Sequence, residues 1–140
     1  MTTVCFDGKT LSGDKQTTWR GTPSQTTKVH KIRASNGQWY LLACSGNSYE
    51  CHAYGEWMRG KIPEPNLGDI DVMVIDSSRK IWLRDAAKLW LPMSRKQWAM
   101  GSGADYALGA MAAGATSRQA VKIATDLDVN TGLGIDTVKF

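Results

Sequence analysis

The chain is 140 residues long, 42% apolar and 21% charged, with a formal net charge of +4. That size fits one domain, residues 1–140, able to bury a core without covalent staples, and the composition is that of a soluble globule. No apolar run approaches the roughly 18 residues of a membrane span, and Asp7-Gly8 cuts short any secretory pattern, so a cytoplasmic setting without a membrane partner is expected.

In chain order, residues 2–6 are β-branched and aromatic and predict a strand stopped by Asp7-Gly8. A second short strand, 10–12, leads into Gly13-Asp14-Lys15, and the polar residues 15–25, with Gly21 and Pro23, predict a loop. Residues 26–34 and 38–45 predict two strands joined at Asn36-Gly37, a strong hairpin signal. A helix capped by Asn47 or Ser48 runs to about Arg59, with Tyr49, His52, Ala53 and Trp57 at helical spacing. Pro63 and Pro65 mark a connection, after which residues 70–75 and 80–83 predict another hairpin. Residues 86–98 admit a short helix that Pro92 keeps from being long. Past Gly101-Ser102-Gly103 come an Ala-rich helix, 104–113, then one opened by Thr116 and Gln119 as a capping box, and a last strand, 133–138. This order suits an α+β fold with helices outside two stacked sheets.

Three cysteines, Cys5, Cys44 and Cys51, fit neither a disulfide framework nor a zinc site and read as small buried apolar residues. His30 and His52 have no Cys, Asp or Glu partner at ligand spacing, so neither metal nor cofactor is expected. The start of the chain carries one chemical opportunity. If Met1 is removed, Thr2 holds a hydroxyl beside a free α-amine, and a terminal amine of pKa about 8 can serve as the base that activates a Thr nucleophile.

Thr2-Thr3-Val4, Gly13-Asp14-Lys15, Val29-His30-Lys31-Ile32, Ala43-Cys44-Ser45-Gly46, the segment opening Gly101-Ser102-Gly103 and Asp128-Val129-Asn130-Thr131-Gly132, in that order, resemble segments of the proteasome β-subunit superfamily and its HslV-type peptidases, which are N-terminal-nucleophile hydrolases. Thr2-Thr3-Val4 resembles the mature start, and Gly13-Asp14-Lys15 the Gly/Ala-Asp-x segment. Val29-His30-Lys31-Ile32 resembles the strand bearing the catalytic lysine, and Ala43-Cys44-Ser45-Gly46 the strand end whose glycine amide forms the oxyanion hole. Gly101-Ser102-Gly103-Ala104-Asp105-Tyr106-Ala107 is the most specific match, close to a Gly-Ser-Gly-x-x-Tyr-Ala helix opening. Asp128-Val129-Asn130-Thr131-Gly132 resembles the Asp-Gly-Ser-Ser-Gly turn.

The resemblance implies a four-layer αββα sandwich and a threonine peptidase cleaving peptides or unfolded proteins. Thr2 would be the nucleophile, and Lys31, paired with Asp14, the cation that holds down the pKa of the terminal amine. Gly46 would face the oxyanion, while Ser102, Asp128 and Thr131 orient the amine. The substrate pocket would fall near Thr17, Val29, Arg33, Cys44, Ser48 and His52. A homo-oligomer is implied as well.

The chain also departs from that pattern. Its first hairpin is trimmed, and only residues 48–59 are available for a helix where the family has two, so one helix is expected to be missing. That speaks against docking of a family ATPase and suits a viral or accessory bacterial relative. Each candidate residue also has a purely structural explanation, as a turn, a cap or a solvated strand position. A catalytically silent fold that binds or blocks a host protein is the alternative. A nucleic-acid binder, supported by Lys9, Lys15, Arg20, Lys28 and Arg33, is the weakest reading, because most aromatics lie in apolar segments and the charge is dispersed.

Overall fold

Alternation along the strands divides the side chains between three buried seams, and those seams define the layers. The computed structural model describes residues 2–66, 68–84 and 89–140. The elements are β1 (Val4–Phe6), β2 (Leu11–Asp14), β3 (Gln16–Trp19), β4 (Thr22–Gln25), β5 (Val29–Arg33), β6 (Trp39–Gly46), α1 (Ser48–Met58), β7 (Ile70–Ile75), β8 (Ile81–Arg84), β9 (Trp90–Pro92), β10 (Trp98–Met100), α2 (Ala104–Ala112), α3 (Ser117–Leu127) and β11 (Ile135–Val138). A four-stranded sheet has the order β10-β1-β2-β11, and a five-stranded sheet the order β5-β6-β7-β8-β9. All their pairings are antiparallel.

Val4, Phe6 and Leu11 from the first sheet meet Val29, Leu41, Ala43, Met73, Ile75 and Ile81 from the second, forming the seam between sheets. One residue along, Cys5 faces the other way and packs with Ala99 under Ala107, Met111, Ala120 and Val121 of α2 and α3. Leu42, Cys44, Val72 and Val74 likewise turn outward from the second sheet and meet Tyr54 of α1. β1, β6 and β7 thus bury apolar side chains on both faces, which is why these segments read as largely hydrophobic runs. Each fully buried Leu, Ile or Val contributes roughly 1.5–3 kcal/mol. The result is the expected αββα sandwich, with one helix rather than two over the five-stranded sheet among the described residues.

Two expectations need correction. Residues 15–25 are not a loop but the hairpin β3-β4, closed by Arg20-Gly21 with φ of +49° and +83°. A two-residue turn with both φ positive matches the twist of paired strands. Pro23 is tolerated because this sheet has two strands among the described residues, which leaves β4 at an edge. The helix expected in residues 86–98 is replaced from Trp90 onward by β9 and β10; Ala86, Ala87 and Lys88 lie outside the described residues. The capping box of α3 is as expected, with the Thr116 hydroxyl accepting from Gln119 N and the Gln119 side chain accepting from Thr116 N.

Candidate active site

Thr2 and Thr3 lead into β1 and are almost wholly buried. Two glycines let the chain opposite come this close. A Cβ on Gly101 would stand 1.8 Å from the Thr2 carbonyl oxygen, and one on Gly103 would stand 2.0 Å from Thr3 Oγ1. Gly101 also has φ of +95°, a conformation that side chains resist. The Gly-Ser-Gly signature therefore has a steric cause: α2 must start against the backbone of Thr2 and Thr3.

Between those glycines Ser102 Oγ donates to Asp128 Oδ2 at 2.6 Å and stands 3.5 Å from the Thr2 carbonyl oxygen. Thr131 Oγ1 donates to the same carboxylate oxygen at 2.7 Å, and Asn130 N donates to Oδ1 at 3.1 Å. Since Thr131 spends its one proton on Asp128, Thr3 Oγ1 is the donor in the 2.7 Å contact between the two threonines. Burial pushes Asp128 up, but the bonds from Ser102, Thr131 and Asn130 outweigh it and hold the carboxyl below its ordinary value. Ser102, Asp128 and Thr131 thus form one connected network against Thr2 and Thr3.

Asp14, at the end of β2, is fully buried. Its Oδ1 accepts from Thr3 N and Lys28 Nζ, each at 2.9 Å, and its Oδ2 from Gln16 N at 3.1 Å and Gly132 N at 3.2 Å. One carboxylate thereby ties the strand start behind Thr2, the approach to β5 and the turn after Asp128. The expected pairing of Asp14 with Lys31 is not what the structure has. Lys31 is exposed and lies over the Trp39 ring, 5.5 Å from its centroid. The cation is Lys28, three residues earlier, with a side chain 7% exposed. Burial holds the Lys28 ammonium below its ordinary pKa, and the neighbouring Asp14 opposes that.

Shifting the lysine by three also shifts the pocket, because an odd step along a strand exchanges the faces. A cavity of about 80 Å³ is lined by Thr2, Lys28 and Gly46 together with Cys44, Ser48 and His52, three of the expected pocket residues. The sequence reading missed Thr26, Thr27, His30 and Cys51 on the same wall. Expected Val29 instead faces inward in the seam between sheets, 1% exposed. Expected Arg33 is exposed and its Nε donates to the Gly37 carbonyl at 3.4 Å, at the far end of β5. The signal for the right register was the pair Thr26 and His30, which flank Lys28 at alternate positions.

Thr17 lines an adjoining cavity of about 400 Å³, which shares Thr2, Lys28 and Gly46, and its Oγ1 lies 3.3 Å from Ser48 Oγ. Trp19 and Tyr49 border this second cavity in an edge-to-face pair at 6.0 Å. Gly46 ends β6 with φ of +114°, and a Cβ there would stand 2.2 Å from the Asp69 carbonyl oxygen, so the turn itself requires glycine. Burial first, then the Arg59 charge, keep the His30 imidazole below its usual pKa. Among the described residues no three His, Cys, Asp or Glu side chains are grouped to hold a metal ion. Of the five basic residues weighed for nucleic acid, Lys28 contacts Asp14 and Lys15 pairs with Asp136 at 3.4 Å.

No protein-family model matches the sequence, and no curated protein does. Solved structures do. BPH from Thiobacillus denitrificans, in complex with epoxomicin, superposes with a TM-score of 0.72 at 17% identity, covering 99% of this chain and 97% of that one. Anbu from Hyphomicrobium sp. strain MC1 gives 0.72 at 10% identity, over 100% of this chain and 82% of the other. HslV from Trypanosoma brucei gives 0.63 at 17% identity, over 99% of both. The layered architecture and these superpositions agree: the chain has the fold of the N-terminal-nucleophile hydrolase superfamily, in the form found in HslV-type and Anbu proteins.

Proposed function

We propose that the chain is an N-terminal threonine peptidase in which Thr2, once Met1 is removed, attacks peptide carbonyls. Met1 itself lies outside the described residues. The observation that carries the reading is that Thr2, Lys28 and Gly46 share the wall of one cavity. In this reading Thr2 Oγ bonds to the carbonyl carbon while the terminal amine takes its proton, directly or through a water. Lys28, fixed by Asp14, takes the role first given to Lys31: its charge disfavours a second positive charge on the amine and keeps that base available. The Gly46 amide faces the developing oxyanion, a contact worth about 3 kcal/mol in the transition state. The amine then returns the proton to the leaving nitrogen, and a water, activated by the same amine, hydrolyses the ester on Thr2. Ser102, Asp128 and Thr131 hold the strand start in place throughout, through the Thr131 contact with Thr3.

Peptides or unfolded proteins are the substrate class in this reading, and a homo-oligomer in the cytoplasm its setting. Docking of a ring ATPase is not part of it, because one helix covers the sheet face among the described residues. The test is hydrolysis of an unstructured protein such as casein. Wild type should cleave it, Thr2→Ser should keep part of the activity, and Thr2→Ala should have none. Equal cleavage by the Ala variant would remove Thr2 from the chemistry.

A further inference from the structure

Two sulfurs sit together on the wall of the smaller cavity, and the proposed mechanism uses neither. Cys44 lies near the end of β6 and Cys51 in the first turn of α1, and both line the cavity with Thr2, Lys28 and Gly46. Cys51 also packs against the buried cluster that contains Cys44, between β6 and α1. Cys44 is 6% exposed whereas Cys51 is only half-buried, so solutes reach Cys51 first. The neighbouring Cys51 thiol, then burial, hold the Cys44 thiol well above its ordinary pKa. The Lys28 ammonium interacts electrostatically with Cys51. Cys5 differs in every respect. It is wholly buried, donates to the Ser117 carbonyl at 3.3 Å, and is pushed up to about 12 by burial and by Asp7.

We infer that Cys44 and Cys51 are a redox-active dithiol that takes a small disulfide of the glutathione class as its oxidant, and that their bridge closes the cavity beside Thr2. Cys51 attacks one sulfur of the oxidant as its thiolate, and the first glutathione leaves and takes up the proton that Cys51 lost. Cys44 then gives up its proton, and its sulfur displaces the second glutathione from Cys51. Two cysteine thiols are oxidised by two electrons and one disulfide is reduced to two thiols, so no further reactant is needed. The bridge needs an S–S length of about 2.05 Å, and both side chains border one cavity of about 80 Å³. The bridge would tie the end of β6 to α1 across the segment that holds Gly46 and the helix cap Asn47, whose side chain accepts from Tyr49 N and Glu50 N. A cavity of about 80 Å³ has little room to lose. The closure of the cavity as a control on Thr2 rests on the hydrolase reading; the dithiol itself does not.

The test equilibrates the full chain in glutathione buffers of rising disulfide fraction, alkylates the free thiols, and reads intact mass and a peptide map. The expected product has lost two hydrogens and two alkylatable thiols, with Cys44 joined to Cys51. Cys5 should be alkylated only after unfolding. Cys51→Ser should abolish the bridge, and Cys44→Ala should accumulate glutathione on Cys51, the intermediate without its resolving thiol. Three thiols alkylatable after unfolding at every ratio, or glutathione persisting on Cys51 with Cys44 present, would overturn the proposal. Epoxomicin should label the bridged chain at least about tenfold more slowly than the reduced chain, with the rate restored by reductant. Equal rates would refute the closure. Absence of labelling in both states would refute the hydrolase reading alone, since the mass readout decides the dithiol without it.

Discussion

Lys28→Met separates the two lysines that compete for Asp14. The substitution keeps the aliphatic stem and removes the ammonium that contacts a fully buried carboxylate at 2.9 Å. Removing one partner of a buried ion pair costs about 3–5 kcal/mol, because the other charge stays behind. Asp14 keeps three backbone donors, Thr3, Gln16 and Gly132, so the loss should sit at the low end, about 3 kcal/mol. For 140 residues at about 2.1 cal/mol/K each, the unfolding entropy is about 0.3 kcal/mol/K, and the melting temperature should fall by about 10 °C. Lys31→Met removes only an exposed cation lying 5.5 Å from the Trp39 ring centroid, worth about 0.5–1 kcal/mol, or about 2–3 °C. Thermal unfolding by circular dichroism reads stability, and epoxomicin labelling reads the site. Lys28→Met should abolish labelling and Lys31→Met should leave it unchanged. The reverse pattern, or a neutral Lys28→Met, would refute the assignment.

The remaining predictions concern the frame around Thr2. Gly101→Ala places a Cβ 1.8 Å from the Thr2 carbonyl oxygen at φ of +95° and should cost at least about 2 kcal/mol in denaturant melts. Gly109→Ala, in α2 with open space at its Cβ position, should instead stabilise by about 0.5–1 kcal/mol. Asp128, Asp7 and Asp76 are all held below their ordinary value of 3.8 by hydrogen bonds that outweigh burial. Below that value the unfolded chain binds more protons than the folded one, so stability is fully present above it and falls as pH drops through the folded-state values. Melts between neutral pH and strong acid should show that slope, and Asp128→Asn should flatten it; an unchanged slope would exclude Asp128 as a contributor.

The architecture was legible because its signals are local. Asn36-Gly37 fixed one hairpin, Thr116 with Gln119 fixed the start of α3, and the apolar run of residues 70–75 is a strand that buries side chains on both faces. The site was legible where the chain's own sterics impose a residue, as at Gly101, Gly103 and Gly46. It was misread where two like residues compete on one strand approach. Lys28 and Lys31 are equally plausible in sequence, and only the burial of Asp14 against Lys28 separates them. That single slip carried Val29 and Arg33 into the expected pocket and left out His30 and Cys51. The β3-β4 hairpin was hidden for a different reason: Arg20 supplies a positive φ that sequence patterns assign to Asn or Gly.

Intact mass before and after exposure to epoxomicin tests the free Thr2 amine and hydroxyl at once, since the epoxyketone forms its ring with the two groups. The chain should lack Met1 and gain one inhibitor per chain, with no gain in Thr2→Ala, if Thr2 is the nucleophile. A chain that starts at Thr2 yet never gains the adduct would contradict that role.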